Sequence, residues 1–356
     1  MKKKFPSGIA TGSLVEEIFQ YAKEENFALP AVNVIGNNTI NAVLETAKKV
    51  NSPIIIQFSY GGALFIAGKS LNDNNEKAAI LGSICGAKHV HEISKYYNIP
   101  VILHTDHCNK KLLPWINGLL NINEIYYKFF GKTLFSSHMI DFSEEPLIEN
   151  IKLSKKYFKR MKKLNLTLEV ELGITGGEED GKDNTKLNDS KFYTNPKDVI
   201  RFYNELKTIN SKFIIAASFG NVHGVYKEKL KLKPEILKKS QDFLKKQNNS
   251  LKEKNPINFV FHGGSGASLK EIKKAINYGV IKMNLDTDIQ YSFTNGVKKY
   301  IISNLEFLKK QIGNPHGKNI SNKKYYDPRI WLRKGEENLK KRLIKSFEDL
   351  NNINRL

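Results

Sequence analysis

The stretch PVILHTDH (100–107) is an apolar, β-branched run that gives way to ionisable residues at its C-terminal end. Seven other segments share this plan: FALPAVN (27–33), PIIIQFS (53–59), TLFSSHMID (133–141), LTLEVELG (166–173), FIIAASFGNVHG (213–224), FVFHGG (259–264) and GVIKMNLD (279–286). Short apolar runs separated by longer helical segments read as β-α units that build a parallel sheet covered on both faces. Eight such units predict an α/β protein with a closed (β/α)8 TIM barrel, whose chemistry gathers at the C-terminal rim of the strands.

The intervening segments fit that reading. NTINAVLETAKKV (38–50) has helical apolar spacing, with Asn38 or Thr39 as its cap. KAAILGSICGAKHVHEISKYY (77–97), EEPLIENIKLSKKYFKRMKK (144–163), NPKDVIRFYNELKTI (195–209) and SLKEIKKAIN (268–277) are likewise helical, and Ser268 with Glu271 fits a capping box. The amphipathic SLVEEIFQYAKEEN (13–26) precedes the first strand and is expected to close the barrel bottom. Two insertions follow strands five and six. The first, residues 173–196, is rich in Gly, Asp, Asn and Glu without apolar period and reads as a mobile loop above the rim. The second, residues 225–256, reads as an outer helix plus linker. Although 356 residues would suit two domains, a barrel with long loops reaches this size alone. The expected organisation is one domain over 1–356, with barrel strands in about 27–288 and a helical C-terminal extension over about 289–356.

Composition narrows the function. An apolar fraction of 40% supports a large core. No apolar run reaches the roughly 18 residues of a membrane span, and the basic start MKKKFPSGIATGS lacks the apolar stretch of a secretory signal. Cys85 and Cys108 cannot make a disulfide framework, which fits a reducing, cytoplasmic setting. The 57 basic against 36 acidic residues give a net charge of +21, which raises a nucleic-acid role. The lysines, however, are spread over many helices without interleaved aromatics or a recognised motif. They read as solvated faces whose field helps gather anionic, phosphorylated substrates, with no specific nucleic acid and no membrane as partner.

His107, His223 and His262 end strands three, six and seven. A lone histidine at a strand end is usually a hydrogen-bonded structural residue. Three on one rim suit a zinc ion with its fourth position open to substrate. Glu169 and Glu171 share a strand face by the period of two, and buried carboxylates need cations or hydrogen bonds. Glu169 suits a pair with Lys282, whereas Glu171, at the strand end, suits a metal, and Asp141 offers another oxygen. TGGEED (175–180) is either a solvated acidic turn or, above a metal, a glycine-hinged carrier of a general base. HGGSGAS (262–268) and NLDTD (284–288) follow strands seven and eight, where barrels often bind phosphate on backbone N–H groups and a helix N-terminus. Ser59, beside its own glycine pair in QFSYGG, faces them across the rim, and Lys323 and Arg329 are cations of the extension that otherwise read as surface residues.

With HTDHCNKKLLPW (104–115), FSSHMIDFSEE (135–145), LEVELGITGGEEDG (168–181), ASFGNVHGVYK (217–227), FVFHGGSG (259–266), KMNLDTD (282–288) and NKKYYDPRIWLR (322–333), the chain resembles the class II, metal-dependent fructose-bisphosphate aldolases in their longer class IIA form, nearly end to end. The resemblance implies reversible cleavage of fructose 1,6-bisphosphate to dihydroxyacetone phosphate and glyceraldehyde 3-phosphate, with Zn2+ as Lewis acid for the enediolate. It implies zinc ligands His107, His223 and His262, with Asp141 and Glu171 at a possible second divalent site. Asp106 then handles the C4 hydroxyl proton, Glu179 is the loop base acting at C1 of dihydroxyacetone phosphate, and Asn284 supports the enediolate. Gly224, Gly263, Ser265, Asp286 and Thr287 hold the triose phosphate, and Ser59, Lys323 and Arg329 hold the other end of the bisphosphate. Asn33, Gly264 and Leu285 complete the substrate contacts. A monovalent cation (K+ or Na+), a homodimer and a cytoplasmic location are further implications. Competing readings are a tagatose 1,6-bisphosphate aldolase, Schiff-base chemistry at Lys282, and, remotely, a basic nucleic-acid-binding protein.

Overall fold

A computed structural model describes residues 4–71, 75–179, 182–183, 192–223, 231–264 and 266–356, with only the backbone described for residues 75, 177–179, 182–183 and 223. Eight parallel strands form the barrel: β1 (Leu29–Asn33), β2 (Ile54–Phe58), β3 (Pro100–Thr105), β4 (Ser137–Ile140), β5 (Thr167–Leu172), β6 (Phe213–Ala217), β7 (Phe259–Phe261) and β8 (Val280–Leu285). Each pairs with its neighbours in chain order, and β8 returns to β1 through Lys282 opposite Leu29, so the sheet closes. The expected (β/α)8 barrel is therefore present.

Helices cover the outside. They are α1 (Ser13–Glu24), α2 (Asn37–Lys49), α3 (Tyr60–Ala67), α4 (Asn75–Tyr97), α5 (Leu113–Phe130), α6 (Leu147–Lys163), α7 (Pro196–Lys207), α8 (Glu235–Gln247) and α9 (Leu269–Asn277). The extension adds α10 (Thr287–Ser303), α11 (Leu305–Leu308), α12 (Lys323–Tyr326) and α13 (Pro328–Asp349). The capping box at Ser268 is present, with Ser268 and Glu271 bonded reciprocally. At α2 the cap differs from expectation. Gly36 precedes the helix, and the Thr39 hydroxyl, one turn in, accepts from the Ile35 and Gly36 amides at 3.0 and 3.2 Å.

Two apolar clusters hold the barrel, one on each side of the sheet. Outward residues such as Val32, Ile56, Phe58, Leu103, Val170, Ile215 and Phe259 pack with the helices. Inside, Leu29, Ala31, Ile55, Ile102, Ile214, Ala216 and Val260 meet Val15, Ile18, Phe19 and Ala22 of α1. The helical spacing of those α1 residues puts them on one stripe, which plugs the barrel bottom. Full burial of such a side chain is worth about 1.5–3 kcal/mol. Continuing the same alternation upward turns Asn33, Gln57, His104, Asp106, Glu169 and Glu171 inward, so the barrel is apolar below and polar above.

Local packing also fixes α3, whose first turn lies at the rim. Ser59 caps it, its Oγ accepting from Gly62 N at 3.1 Å. Helix α4 crosses α3 at Gly82, where a Cβ would meet Ala63 O at 1.8 Å and Ala67 N at 3.0 Å. Gly82→Ala is expected to cost about 1–3 kcal/mol or more by forcing these helices apart. A thermal denaturation midpoint equal to that of the parent protein would contradict this.

Candidate active site

The polar upper half of the barrel centres on Asp106. Its amide donates to Phe58 O at 2.9 Å, which carries the β3 ladder one residue further and keeps the carboxylate pointing inward. Three side-chain amides converge on that carboxylate: Asn33 Nδ2 and Gln57 Nε2 donate to Oδ2 at 3.0 and 2.9 Å, and Asn284 Nδ2 donates to Oδ1 at 3.1 Å. Gln57 also donates to Asn33 Oδ1, tying β1 to β2. A buried carboxylate with amide donors on both oxygens is held in one orientation.

The chain then turns sharply. His107 adopts φ 26°, a left-handed conformation that is strained for a side chain of this size. The turn places its Nδ1 3.2 Å from Asp141 Oδ2 and 3.3 Å from Glu171 Oε2. The rings of His107 and His262 lie 4.7 Å apart, and His262 Nδ1 is 3.6 Å from Glu171 Oε2. Ligand atoms of Asp106, His107 and His262 all fall within 4.8 Å of one another, as do those of His107, Asp141 and Glu171. Imidazole nitrogens and carboxylate oxygens converging from β3, β4, β5 and β7 form a donor set that fits a zinc-like dication.

Charge is arranged around this cluster. Burial works against the Asp141 carboxylate, but His107 and two hydrogen bonds from Ser143 hold its pKa far below the ordinary value. Glu171 Oε1 accepts from Thr175 Oγ1 at 2.8 Å, leaving Oε2 toward the histidines. Burial alone would lower the His262 pKa, yet Glu171 and Glu169 reverse this and push it up to about 9. One layer below, Glu169 is fully buried and joins three groups: Lys282 Nζ at 2.6 Å, His262 Nε2 at 2.8 Å and His104 Nε2 at 3.2 Å. Burial would raise the Glu169 pKa, but Lys282 and the two histidines hold it well below the usual carboxylate range. The pairing of Glu169 with Lys282 is the one that strand alternation suggested.

The remaining expected residues divide. Gly263 has φ 57°, a left-handed backbone that favours glycine, and Gly264 lies against the flexible tip of Met283, so the turn after β7 packs on β8. Leu285 ends β8, and Thr287 opens α10 with Asp286 as its cap. Gly224 and Ser265 lie outside the described residues. His223 does not end β6, which stops at Ala217; its backbone belongs to a separate two-residue strand, Val222–His223, paired in parallel with Gly176 and Gly177. The segment after β5, expected to be an irregular loop, carries the strand Gly176–Glu179, which also pairs antiparallel with Lys182–Asp183. This small sheet joins the loop of Glu179 to the segment of His223, although neither side chain is described. Arg329 is exposed and paired with Asp327 at 2.6 Å, and among the described residues no hydrogen bond or ion pair links it or Lys323 to the rim cluster. Gln57 was not anticipated. Its signal was a polar residue at an inward position of an otherwise apolar strand.

The chain is similar to known proteins of one family. The family model described as fructose-bisphosphate aldolase class-II matches residues 13–355. The chain is 57% identical over 350 residues to a fructose-bisphosphate aldolase class 2 of Buchnera aphidicola subsp. Schizaphis graminum, covering 98% of this chain and 97% of that one. It is 56% identical over 348 residues to a fructose-bisphosphate aldolase class 2 of Escherichia coli (strain K12), covering 97% and 96%. A 1.85 Å crystal structure of a fructose-bisphosphate aldolase from Campylobacter jejuni is similar with a TM-score of 0.89 at 56% identity, over 98% of this chain and 97% of that one.

Proposed function

The chain belongs to the class-II fructose-bisphosphate aldolase family, and on that premise we infer that it catalyses the reversible aldol cleavage of fructose 1,6-bisphosphate to dihydroxyacetone phosphate and glyceraldehyde 3-phosphate, a step of glycolysis and gluconeogenesis. The observation that carries this reading to particular residues is the convergence of Asp106, His107 and His262 ligand atoms within 4.8 Å at the barrel mouth. We assign His107, His223 and His262 as zinc ligands, with Asp141 and Glu171 as oxygens for a second divalent position. Bound zinc supplies Lewis-acid polarisation of the substrate ketone, worth several kcal/mol.

The residues do the rest. In cleavage Asp106 takes the C4 hydroxyl proton as the C3–C4 bond breaks, and the bond's electron pair stays on C3. Glu179 delivers a proton to that carbon, which is C1 of the departing dihydroxyacetone phosphate; in condensation it removes that proton. Acid–base help of this kind contributes about 10²–10⁴-fold. Support for Asp106 comes from its three amide donors, which fix the carboxylate without neutralising it. Asn284 acts on the substrate oxygens through Oδ1, a buried acceptor with no hydrogen-bond partner among the described residues, and through Nδ2. Gly224, Gly263, Ser265, Asp286 and Thr287 are assigned to hold the triose phosphate half, with Asn33, Gly264 and Leu285 as further substrate contacts. Ser59, Lys323 and Arg329 are assigned to the other phosphate, and a monovalent cation beside the phosphate turns. Binding energy from the phosphates then orients the reacting carbons.

The same reading takes residues 1–356 as one barrel domain with an extension, and the protein as a cytoplasmic homodimer. The dimer is supported by exposed apolar side chains of the extension, among them Ile302, Leu305 and Ile312. Among the described residues no helix is long and apolar enough to cross a membrane. The Schiff-base alternative is disfavoured because the Lys282 amine is buried against Glu169. The test is a comparison of kcat/KM on fructose and tagatose 1,6-bisphosphates alongside analysis of bound metal. A preference for the fructose substrate of at least about tenfold, or 1.4 kcal/mol of transition-state binding, is expected. The opposite preference would assign the chain to the tagatose reaction.

A further inference from the structure

We infer that Glu169, fixed by Lys282, is a positioning residue that sets which nitrogen of His262 faces the metal. This rests on the zinc site proposed above. The two Glu169 oxygens have different duties. Oε2 meets Lys282 Nζ at 2.6 Å and His104 Nε2 at 3.2 Å, whereas Oε1 accepts from His262 Nε2 at 2.8 Å. His104 is itself held from its other side, Nδ1 lying 2.7 Å from Ser137 Oγ. All four side chains are buried to within 1% of full burial, so no exposed group competes for the carboxylate.

The consequence is geometric. An imidazole that donates from Nε2 to a carboxylate offers its lone pair at Nδ1, and in His262 that is the nitrogen lying 3.6 Å from Glu171 Oε2, on the side of the ligand cluster. A histidine ligand anchored through its second nitrogen keeps its ring plane and its basicity, and loss of such an anchor typically weakens metal binding about 10–100-fold. Lys282 acts one step further out. It holds Oε2 and gives the buried carboxylate a partner, so that Oε1 stays aimed at His262. The lysine that strand alternation suggested for Schiff-base chemistry thus acts on the site indirectly.

Two double variants separate this role from bulk stability. Glu169→Gln with Lys282→Met removes both charges but keeps an acceptor for His262; Glu169→Leu with Lys282→Met removes the acceptor as well. Zinc dissociation constants are measured by competition with a chelator, together with the visible spectrum of the cobalt-substituted protein. The Gln/Met protein keeps an acceptor for His262 but loses the lysine that aims it, and its zinc affinity is expected to fall between those of the parent and the Leu/Met protein. The Leu/Met protein should bind about 10–100-fold more weakly, with an altered cobalt spectrum. Equal zinc affinities and cobalt spectra in the two would overturn the inference. Should Leu/Met not fold, ¹⁵N NMR of histidine-labelled parent enzyme loaded with zinc decides: the proton must sit on Nε2 of His262, and a proton on Nδ1 refutes the role. A parent protein that binds no zinc would instead refute the metal site itself.

Discussion

Exhaustive chelation is expected to lower fructose 1,6-bisphosphate cleavage by at least about 10³-fold, and added zinc to restore it. The magnitude follows from the Lewis-acid contribution of several kcal/mol at about 1.4 kcal/mol per decade. The direction follows from the rim itself. Asp106, Asp141 and Glu171 stand around His107 and His262, and no lysine or arginine bonds to these three carboxylates among the described residues. Such a cluster is costly to bury unless a cation sits among the carboxylates. His107→Ala should reproduce the chelated enzyme, and stoichiometric zinc should not rescue it. Steady-state cleavage assays with metal analysis of each sample check both statements. Activity that survives complete metal removal would refute the mechanism, and borohydride trapping would then show whether an amine carries the reaction.

The barrel was legible because its signal is repetitive: eight apolar runs of similar length, nearly all followed by a helical period, leave little choice of topology. Site residues on the barrel strands were legible for the same reason. Alternation turns Glu169, Glu171, Lys282 and Asn284 inward, and the Glu169–Lys282 pair follows from it. Features off the barrel were harder to read. The strands Val222–His223 and Gly176–Glu179 pair across more than forty residues of sequence, and neither has a period of its own. Their register is set by the barrel strands that precede them. His223 therefore looked like a continuation of β6, although the chain leaves the barrel at Ala217. The hairpin Ile312–Asn314 with Gly317–Ser321 was hidden within a polar break of the extension for a similar reason, because its strands are exposed and carry little apolar signal. Gln57 was overlooked because one amide in an apolar run resembles tolerated polarity. Only the fold reveals that it points at Asp106.

Asp106→Asn is expected to reduce kcat for cleavage by about 10²–10⁴-fold while changing KM little. The substitution is nearly isosteric, but Asp106 receives amide donors on both oxygens. An asparagine there turns its own NH₂ toward Asn284 or toward Asn33 and Gln57, so at least one donor loses its acceptor. A buried donor left unsatisfied costs about 1–3 kcal/mol, which predicts a lower thermal midpoint beside the kinetic loss. Two partial reactions separate chemistry from damage. Asp106 is assigned to the C4 hydroxyl proton, which belongs to the aldehyde half, whereas Glu179 is assigned to the proton on C1 of dihydroxyacetone phosphate. The variant should therefore still exchange that C1 proton with solvent deuterium at a rate within about tenfold of the parent, because only cleavage and condensation need Asp106. Glu179→Gln should instead lose exchange together with turnover, because the same proton is delivered in cleavage and removed in condensation. Equal loss of exchange and cleavage in Asp106→Asn would mean that the carboxylate supports the whole site rather than one proton transfer. The split is read from deuterium incorporation by NMR and from coupled cleavage assays on the same preparations.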